Sequence, residues 1–245
     1  ELIFVGFDGQ INGSGSNDEL LIATLVDMTP GTEFSIVNSR YEAGAAANVR
    51  TEKWGGGSDD PSQAPFETKI TYTGATNIPA GSILRFEITL SNAFIVSVTV
   101  TEGVLTPTTT TRTGDFTATV TNSGAYANIS TSGDDQLYLM QGSFTSDGSI
   151  DANEANYLFT GTLLHGITIG TAWVPLTSAC SGSGTGTIRE SRLPPELRCF
   201  NVESISSIQG YYENDKEHGL ATIREIVNNV SDDAGNWDLT SYNFD

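Results

Sequence analysis

Basic residues, histidine and cysteine are all scarce in this chain of 245 residues. Only 11 Lys and Arg stand against 30 Asp and Glu, which gives a formal net charge of -19 at pH 7. A chain this acidic repels nucleic acid and anionic membrane surfaces over most approaches, so cations are its natural counterpart. No apolar run reaches the roughly 18 residues that a membrane-spanning helix requires. We therefore expect neither nucleic-acid binding nor membrane insertion.

The common catalytic signatures are also absent. The sequence contains no Gly-x-Ser-x-Gly elbow, no His-Glu-x-x-His, no Cys-x-x-Cys and no phosphate-binding Gly-Lys-Ser/Thr. Its two histidines leave proton transfer mainly to carboxylates, and a pair of carboxylates from distant strands has no signature in sequence spacing. His165, in a strand-like run, is predicted to be a structural residue. We predict that the protein is not an enzyme, with a carboxylate hydrolase as the enzymatic alternative.

Hydrophobic residues alternate with polar ones along much of the chain, as they do in half-buried β-strands. This alternation covers the segments 66–72, 84–90, 94–100 and 116–120. The segment 20–26 is apolar on both faces and is predicted to be a central strand. Two similar turns, 29–32 and 79–82, separate strands. Because no change in composition marks a linker, the sequence predicts one all-β, mainly antiparallel domain over 1–245, a single large β-sandwich.

One α-helix is predicted near residues 216–230, in the C-terminal part of the chain. Its apolar residues fall on one face of a helix, and a polar run follows them as a stop signal. These apolar residues are Leu220, Ile223, Ile226, Val227 and Val230. We expect the helix to cap the sandwich, with Trp237 packing it against a sheet.

Two acidic loops are candidates for calcium binding. The segment 143–154 matches the second half of an EF-hand loop, but hydroxyl residues occupy its first positions, so a different calcium site is the better hypothesis. The loop 8–19 offers oxygen ligands alone, which calcium prefers and transition metals do not. The predicted ligands are Asp8, Asn12, Asn17, Asp18, Asp147, Asp151, Asn153 and Glu154. The alternative for both loops is an ordinary solvated turn.

Trp54 is the best candidate for an exposed aromatic residue that binds a ligand. It is followed by three glycines, Gly55 to Gly57, and this setting gives the indole little obvious core to join. An exposed indole of this kind suits the face of a sugar ring, so a glycan is the ligand we would expect at Trp54.

The order of several short segments resembles a β-rich domain of secreted and surface proteins in Bacteroidetes and cyanobacteria, often found beside lamin-tail-like domains. The segments are ELIFVGF at 1–7, DELLIATLVDMTPGT at 18–32, IPAGS at 78–82, TSGDDQLYLMQG at 131–142 and SRLPPEL at 191–197. A closing helix before Asn236 and Trp237 completes the pattern. The resemblance implies an extracellular or cell-surface location and a β fold, and the family has no assigned reaction.

The exported setting implied by that resemblance bears on the two cysteines, Cys180 and Cys199, which flank a loop rich in Ser, Gly and Thr. In an exported protein the default expectation for such a pair is a disulfide. Closing a loop of this length would remove roughly 3 kcal/mol of chain entropy from the unfolded state. Two buried thiols are the alternative.

These features favour a non-enzymatic extracellular structural protein of the cell surface that self-associates through β-strand pairing, as a homo-oligomer or filament. The Thr-rich region 106–121 is expected to form a sheet edge, and strand edges can pair with a neighbouring molecule. The segment 1–7 could pair with its own sheet or with a neighbour's edge. The alternative function is a calcium-dependent adhesion or glycan-binding module.

Overall fold

Fifteen β-strands account for most of the structure, a computed structural model that describes residues 1–8, 17–43, 52–55, 64–89, 95–102, 107–120, 135–148, 157–169, 194, 197, 201–205, 209–212 and 237–238. The strands are β1 (Leu2–Asp8), β2 (Asn17–Thr24), β3 (Glu33–Asn38), β4 (Arg40–Ala43), β5 (Glu52–Gly55), β6 (Phe66–Tyr72), β7 (Ile83–Thr89), β8 (Ile95–Glu102), β9 (Thr108–Thr111), β10 (Phe116–Val120), β11 (Asp135–Ser146), β12 (Tyr157–Ile169), β13 (Asn201–Ile205), β14 (Gln209–Tyr212) and β15 (Trp237–Asp238). A 3-10 turn, Thr113–Asp115, lies between β9 and β10.

The strands form two sheets. The first has seven strands in the order β15-β14-β1-β2-β7-β8-β9, and the second has eight, ordered β10-β6-β3-β11-β12-β5-β4 with β13 beside β12. The β12–β13 pair is parallel, and the other neighbours in both sheets are antiparallel. The first sheet therefore has β9 at one edge, and the second has β10 at one edge.

A shared hydrophobic core joins the two sheets face to face. The Phe34 ring of β3 lies 6.1 Å from the Phe86 ring of β7, and Phe86 lies 5.4 Å from the Phe116 ring of β10. Burial follows the predicted alternation, since Leu84 and Phe86 are buried while Arg85 between them is only half-buried. The prediction of an all-β, mainly antiparallel sandwich is confirmed.

Two of the sequence predictions concern individual strands of the first sheet. The segment 20–25 is buried throughout and lies between β1 and β7, which confirms a central strand; Val26, just beyond it, is exposed. The N-terminal strand β1 pairs with β2 on one side and β14 on the other. Of the two pairings expected for 1–7, the structure has the one within its own sheet.

The predicted helix at 216–230 lies outside the described residues, and so do Cys180 and Cys199. The helix, the disulfide and the single domain over 1–245 stay predictions. Within the described part of the chain, none of the helical segments has the length and hydropathy needed to cross a membrane.

Two connections between the sheets cross each other beyond the ends of β2 and β6. The chain passes from β2 to β3 through the turn 29–32, and from β6 to β7 through the turn 79–82. Where they cross, Met28 and Ile78 form an antiparallel bridge with N···O distances of 2.8 and 2.9 Å, and both side chains are buried. Each connection therefore holds the other in place.

Each turn is also hydrogen-bonded to a strand end of the other connection. The Gly81 N–H donates to the Thr24 carbonyl at 2.7 Å, and the Gly31 N–H donates to the Tyr72 carbonyl at the same distance. The φ angles of Gly31 and Gly81 are 86° and 83°. These values are those of the third residue of a type II turn, where glycine is favoured. The two turns thus have similar sequences because they occupy equivalent positions in the two connections.

We predict that Gly31→Ala lowers the free energy of unfolding by about 1–2 kcal/mol, the usual cost of a left-handed conformation for an L-residue. An added Cβ at Gly31 meets no atom within 4 Å, so the effect isolates backbone strain. Urea denaturation measures it. The matched control is Gly114→Ala in the 3-10 turn, where the added Cβ is equally free and φ is not positive. Equal stability losses in the two variants would contradict the assigned turn.

Candidate functional site

The predicted calcium ligands of the first loop do not form one site in the structure. Phe7 and Leu20 are paired and buried between the sheets, so their neighbour Asp8 lies on the outer face of the first sheet. Asp18 is on the same face as Leu20, is 1% exposed and therefore belongs to the inner face. Asn17 begins β2, and Asn12 lies outside the described residues. Asp8 and Asp18 thus cannot share a metal ion through their side chains.

In the second predicted calcium loop, the structure describes one predicted ligand, Asp147. Its carboxylate forms an ion pair with the Lys53 ammonium group at 2.7 Å, and the two side chains are only 16% and 15% exposed. Asp151, Asn153 and Glu154 lie outside the described residues. Among the residues that are described, no group of three or more His, Cys, Asp or Glu side chains is arranged to hold a metal ion.

Three acidic residues do lie in one row across the outer face of the first sheet. Asp8 of β1, Glu19 of β2 and Glu87 of β7 are directly paired along the ladder. Glu19 is 2% exposed, and its Oε2 lies 2.5 Å from Nε of Arg85. Burial raises the pKa of Glu19, Arg85 lowers it in part, and Asp8 and Glu87 raise it further. The Glu19 carboxylate is thus paired with Arg85 and bordered by the like charges of Asp8 and Glu87. The three carboxylates do not converge in a metal-binding geometry.

Trp54 lies in a buried aromatic cluster instead of on an exposed loop. Its side chain is 2% exposed and its ring centroid is 4.9 Å from Tyr138 and 5.8 Å from Phe144. Tyr41 and Phe159 complete the contacts at 5.0 and 6.3 Å. The expectation of an exposed indole was wrong because the glycine-rich sequence around Trp54 gave no sign of the distant strands that cover it. An indole enclosed on these sides offers no free face for a sugar.

A bend in the β11–β12 hairpin produces this enclosure. Tyr138 and Phe144 are separated by six residues, which span about 20 Å in a straight strand. Both rings nevertheless contact Trp54, so the hairpin bends between them. Gly142 and Gly161 are paired at this point, and a Cβ on either would overlap the backbone of the opposite strand. The residues 141–146 and 157–162, which we call the arm, thus fold over the outer face of the second sheet.

His165 is confirmed as a structural residue. It is fully buried, lies against the Phe4 ring at 5.9 Å, and its Nδ1 accepts the Phe4 backbone N–H at 3.3 Å. Nδ1 is therefore unprotonated, and the neutral ring carries its proton on Nε2. Burial lowers the pKa of His165 to about 3. A neutral, enclosed imidazole of this kind links the two sheets and has no access to a substrate.

The described part of the sandwich ends at β9 and β10, the edges of the first and second sheets; we call these two strands the open end. β9 consists of four threonines that are all exposed, and β10 has the sequence Phe-Thr-Ala-Thr-Val. Neither strand contains a charged residue in a chain whose net charge is -19. No other strand in the described part of the protein pairs with their outer edges. The expected sheet edge at 106–121 is confirmed.

The charged residues nearest the open end are paired with one another. Arg112, between β9 and the 3-10 turn, lies 3.7 Å from Glu102 and 3.8 Å from Asp115. Its Nη1 also donates to the Tyr72 hydroxyl at 3.3 Å. Sequence patterns do not single out Arg112, because only Asp115, three residues later, is a local partner, whereas Glu102 and Tyr72 come from other strands. The pairing keeps both nearby carboxylates engaged with a cation instead of facing the strand edges alone.

Comparison with known proteins gives no assignment, since no family model, no curated protein and no solved structure matches this chain.

The aromatic cluster predicts a large stability loss for Trp54→Ala, about 3–5 kcal/mol, because a large buried ring is removed from tight packing. The control is Leu158→Ala on the arm, since Leu158 is 45% exposed. We expect that control to change stability by less than about 1 kcal/mol. Urea denaturation of both variants tests the prediction, and a Trp54→Ala protein as stable as the control would contradict the enclosed position of the indole.

His165 predicts a loss of stability in acid. Its folded pKa, about 3, lies below the ordinary value of 6.5, so below pH 6.5 the unfolded chain takes up a proton that the folded chain does not. The contribution is fully present above pH 6.5 and is lost as the pH falls toward 3, by about 3 kcal/mol between pH 7 and pH 4.

The measurement for His165 is the difference in unfolding free energy between the wild type and His165→Asn across this range. Asparagine keeps an acceptor near the Phe4 N–H but does not titrate. Glu19, whose raised pKa acts with the opposite sign, is present in both proteins and cancels in the difference. A difference that stays constant from pH 7 to pH 4 would show that His165 is not the neutral buried group described.

Proposed function

We propose that this chain is a non-enzymatic structural protein of the cell surface, located outside the cell, that self-associates through pairing of its β-strands. The observation that carries the proposal is the open end, where the edge strands β9 and β10, one from each sheet and consecutive in the chain, contain no charged residue. A strand edge presents unpaired backbone N–H and carbonyl groups, and soluble proteins commonly protect such edges with charges or proline. Neither strand of the open end has that protection.

The overall charge makes the composition of the open end informative. Two copies of a chain with a net charge of -19 repel each other, so a contact between them is favoured where charge is lowest. By contrast, β4 at the opposite edge of the second sheet contains Arg40 and Glu42, and β15 at the opposite edge of the first contains Asp238. An edge free of charge is therefore the most favourable place for self-association.

The competing functions have less support among the described residues. His165, the histidine that the structure describes, is buried with a pKa of about 3 and cannot serve as an accessible acid or base, so a hydrolase would depend on carboxylates. A glycan-binding module would lose its best aromatic candidate, because Trp54 is enclosed. A calcium-dependent module would draw on Asp147, whose carboxylate is already paired with Lys53. The extracellular location rests on the resemblance to secreted surface domains and on the acidic composition.

The proposed function predicts that self-association increases with salt. Raising the ionic strength from about 0.01 M to 1 M shortens the Debye length from about 30 Å to about 3 Å, which screens the repulsion between acidic copies. Sedimentation velocity in sodium chloride measures the average mass, and negative-stain microscopy shows whether the product is an oligomer or a filament. A protein that stays monomeric at every salt and protein concentration, or that turns over a polysaccharide, would overturn the proposal.

A further inference from the structure

The backbone of β10 alternates between the two sides of the strand, and the structure fixes which residues face outward. The Asp115 carbonyl accepts the Thr73 N–H at 2.7 Å, so Asp115 faces β6. In an antiparallel ladder every second residue directs both its N–H and its carbonyl to the same neighbour. The backbone N–H and carbonyl groups of Thr117 and Thr119 are therefore also directed to β6.

By the same alternation, the carbonyls of Phe116, Ala118 and Val120 and the N–H groups of Ala118 and Val120 are directed to the outer edge. The Phe116 N–H instead donates to the Thr113 carbonyl at the end of the 3-10 turn. The neighbouring strand gives the same phase, because Tyr72, the partner of Phe116, forms its backbone hydrogen bonds with the turn preceding β3, through Thr32 and Gly31. The outer edge of β10 thus offers two N–H donors, from Ala118 and Val120, and three carbonyl acceptors.

We infer that this edge pairs with the same edge of a second copy of the chain, antiparallel, with Ala118 opposite Ala118 of the other copy. This inference rests on the proposed function and specifies its interface. In that register Phe116 lies opposite Val120 of the other copy, and Ala118 lies on the two-fold axis. The Ala118 pair then exchanges both of its backbone hydrogen bonds, and in each Phe116–Val120 pair the Val120 N–H donates to the Phe116 carbonyl.

Charge selects this orientation over a parallel one. Asp115 immediately precedes β10, and a parallel pairing in register would place it beside Asp115 of the second copy. The antiparallel pairing places Asp115 beyond the far end of β10 of the other copy, away from the second Asp115. Like charges directly opposite one another destabilise a strand pair, so the antiparallel arrangement avoids the one charge conflict that β10 can make.

The side chains favour the same arrangement. Phe116 is buried between the sheets, while Ala118 and Val120, on the same face, are only half-buried because the sheet ends there. The antiparallel register brings Ala118 against its own copy and Val120 against Phe116, and so covers this apolar margin. A contact with two-fold symmetry closes on itself, so this edge produces a dimer, and a filament would need a second interface.

The first test removes an outward N–H from β10. Ala118→Pro lacks the donor at the two-fold axis, and proline is tolerated on an edge strand where the N–H does not face its ladder partner. We expect the dimer dissociation constant, measured by sedimentation equilibrium at high salt, to rise about tenfold or more. The control is Thr109→Pro, which removes an outward N–H from β9. The Arg112 N–H donates to β8, and because the direction of the N–H alternates along the strand, the Thr109 N–H points away from β8. We expect this control to dimerise as the wild type does.

A second test uses the exposed side chains of Thr117 and Thr119. In the inferred interface, Thr117 of one copy lies opposite Thr119 of the other. The variant Thr117→Glu with Thr119→Glu places like charges opposite each other and should abolish dimerisation. The variant Thr117→Glu with Thr119→Lys places opposite charges across an antiparallel pair and should restore it. In a parallel pair in register the second variant would still oppose like charges and would stay monomeric.

These outcomes separate the inference from the proposed function. A wild type that never associates overturns both. A wild type that associates while Ala118→Pro and both threonine variants associate equally well leaves the proposed function and overturns this interface. Loss of association in Thr109→Pro alone would move the interface to β9. An Ala118→Pro protein that loses stability without any change in association would show that a segment of its own chain covers this edge, which also overturns the inference.

Discussion

The backbone bridge between Met28 and Ile78 is the constraint on which both sheets depend. It joins the two connections that carry the chain between the sheets, so β2, β3, β6 and β7 are held together at one buried point. The glycine turns on either side of the bridge donate to strand ends of the opposite connection. Strands added outside these four, such as β1, β8, β10 and β11, continue a frame whose spacing and orientation are already set.

The two ends of the second sheet differ in how they terminate. Near β5 the arm folds over the sheet, encloses Trp54 and places the Asp147 carboxylate against Lys53. At β10 the described sheet stops without a cover, and Ala118 and Val120 remain half-buried. Within the described residues, one region is thus protected by aromatic packing and an ion pair, and the other presents uncharged backbone. This asymmetry is the physical basis for expecting a partner at β10.

The strands and their faces could be predicted in large part, because alternation of apolar and polar residues is a local property. The central position of 20–25, the alternation in β7 and the structural role of His165 were of this kind, and so was the edge at 106–121. The exposure of Trp54 was predicted wrongly from the same local evidence. Its neighbours Tyr138 and Phe144 are about ninety residues away in the chain, and no spacing rule connects residues so distant.

The sequence by itself determined an acidic all-β protein with two glycine turns, a threonine-rich edge and no recognisable catalytic motif. The tertiary structure alone decided which residues meet: Asp8 and Asp18 lie on opposite faces, Asp147 is paired with Lys53, and Glu19 with Arg85. The physical reason is that alternation assigns a residue to one face of its own strand, whereas strand order and register assign its neighbours. Strand order follows from how the crossed connections at Met28 and Ile78 pair in three dimensions.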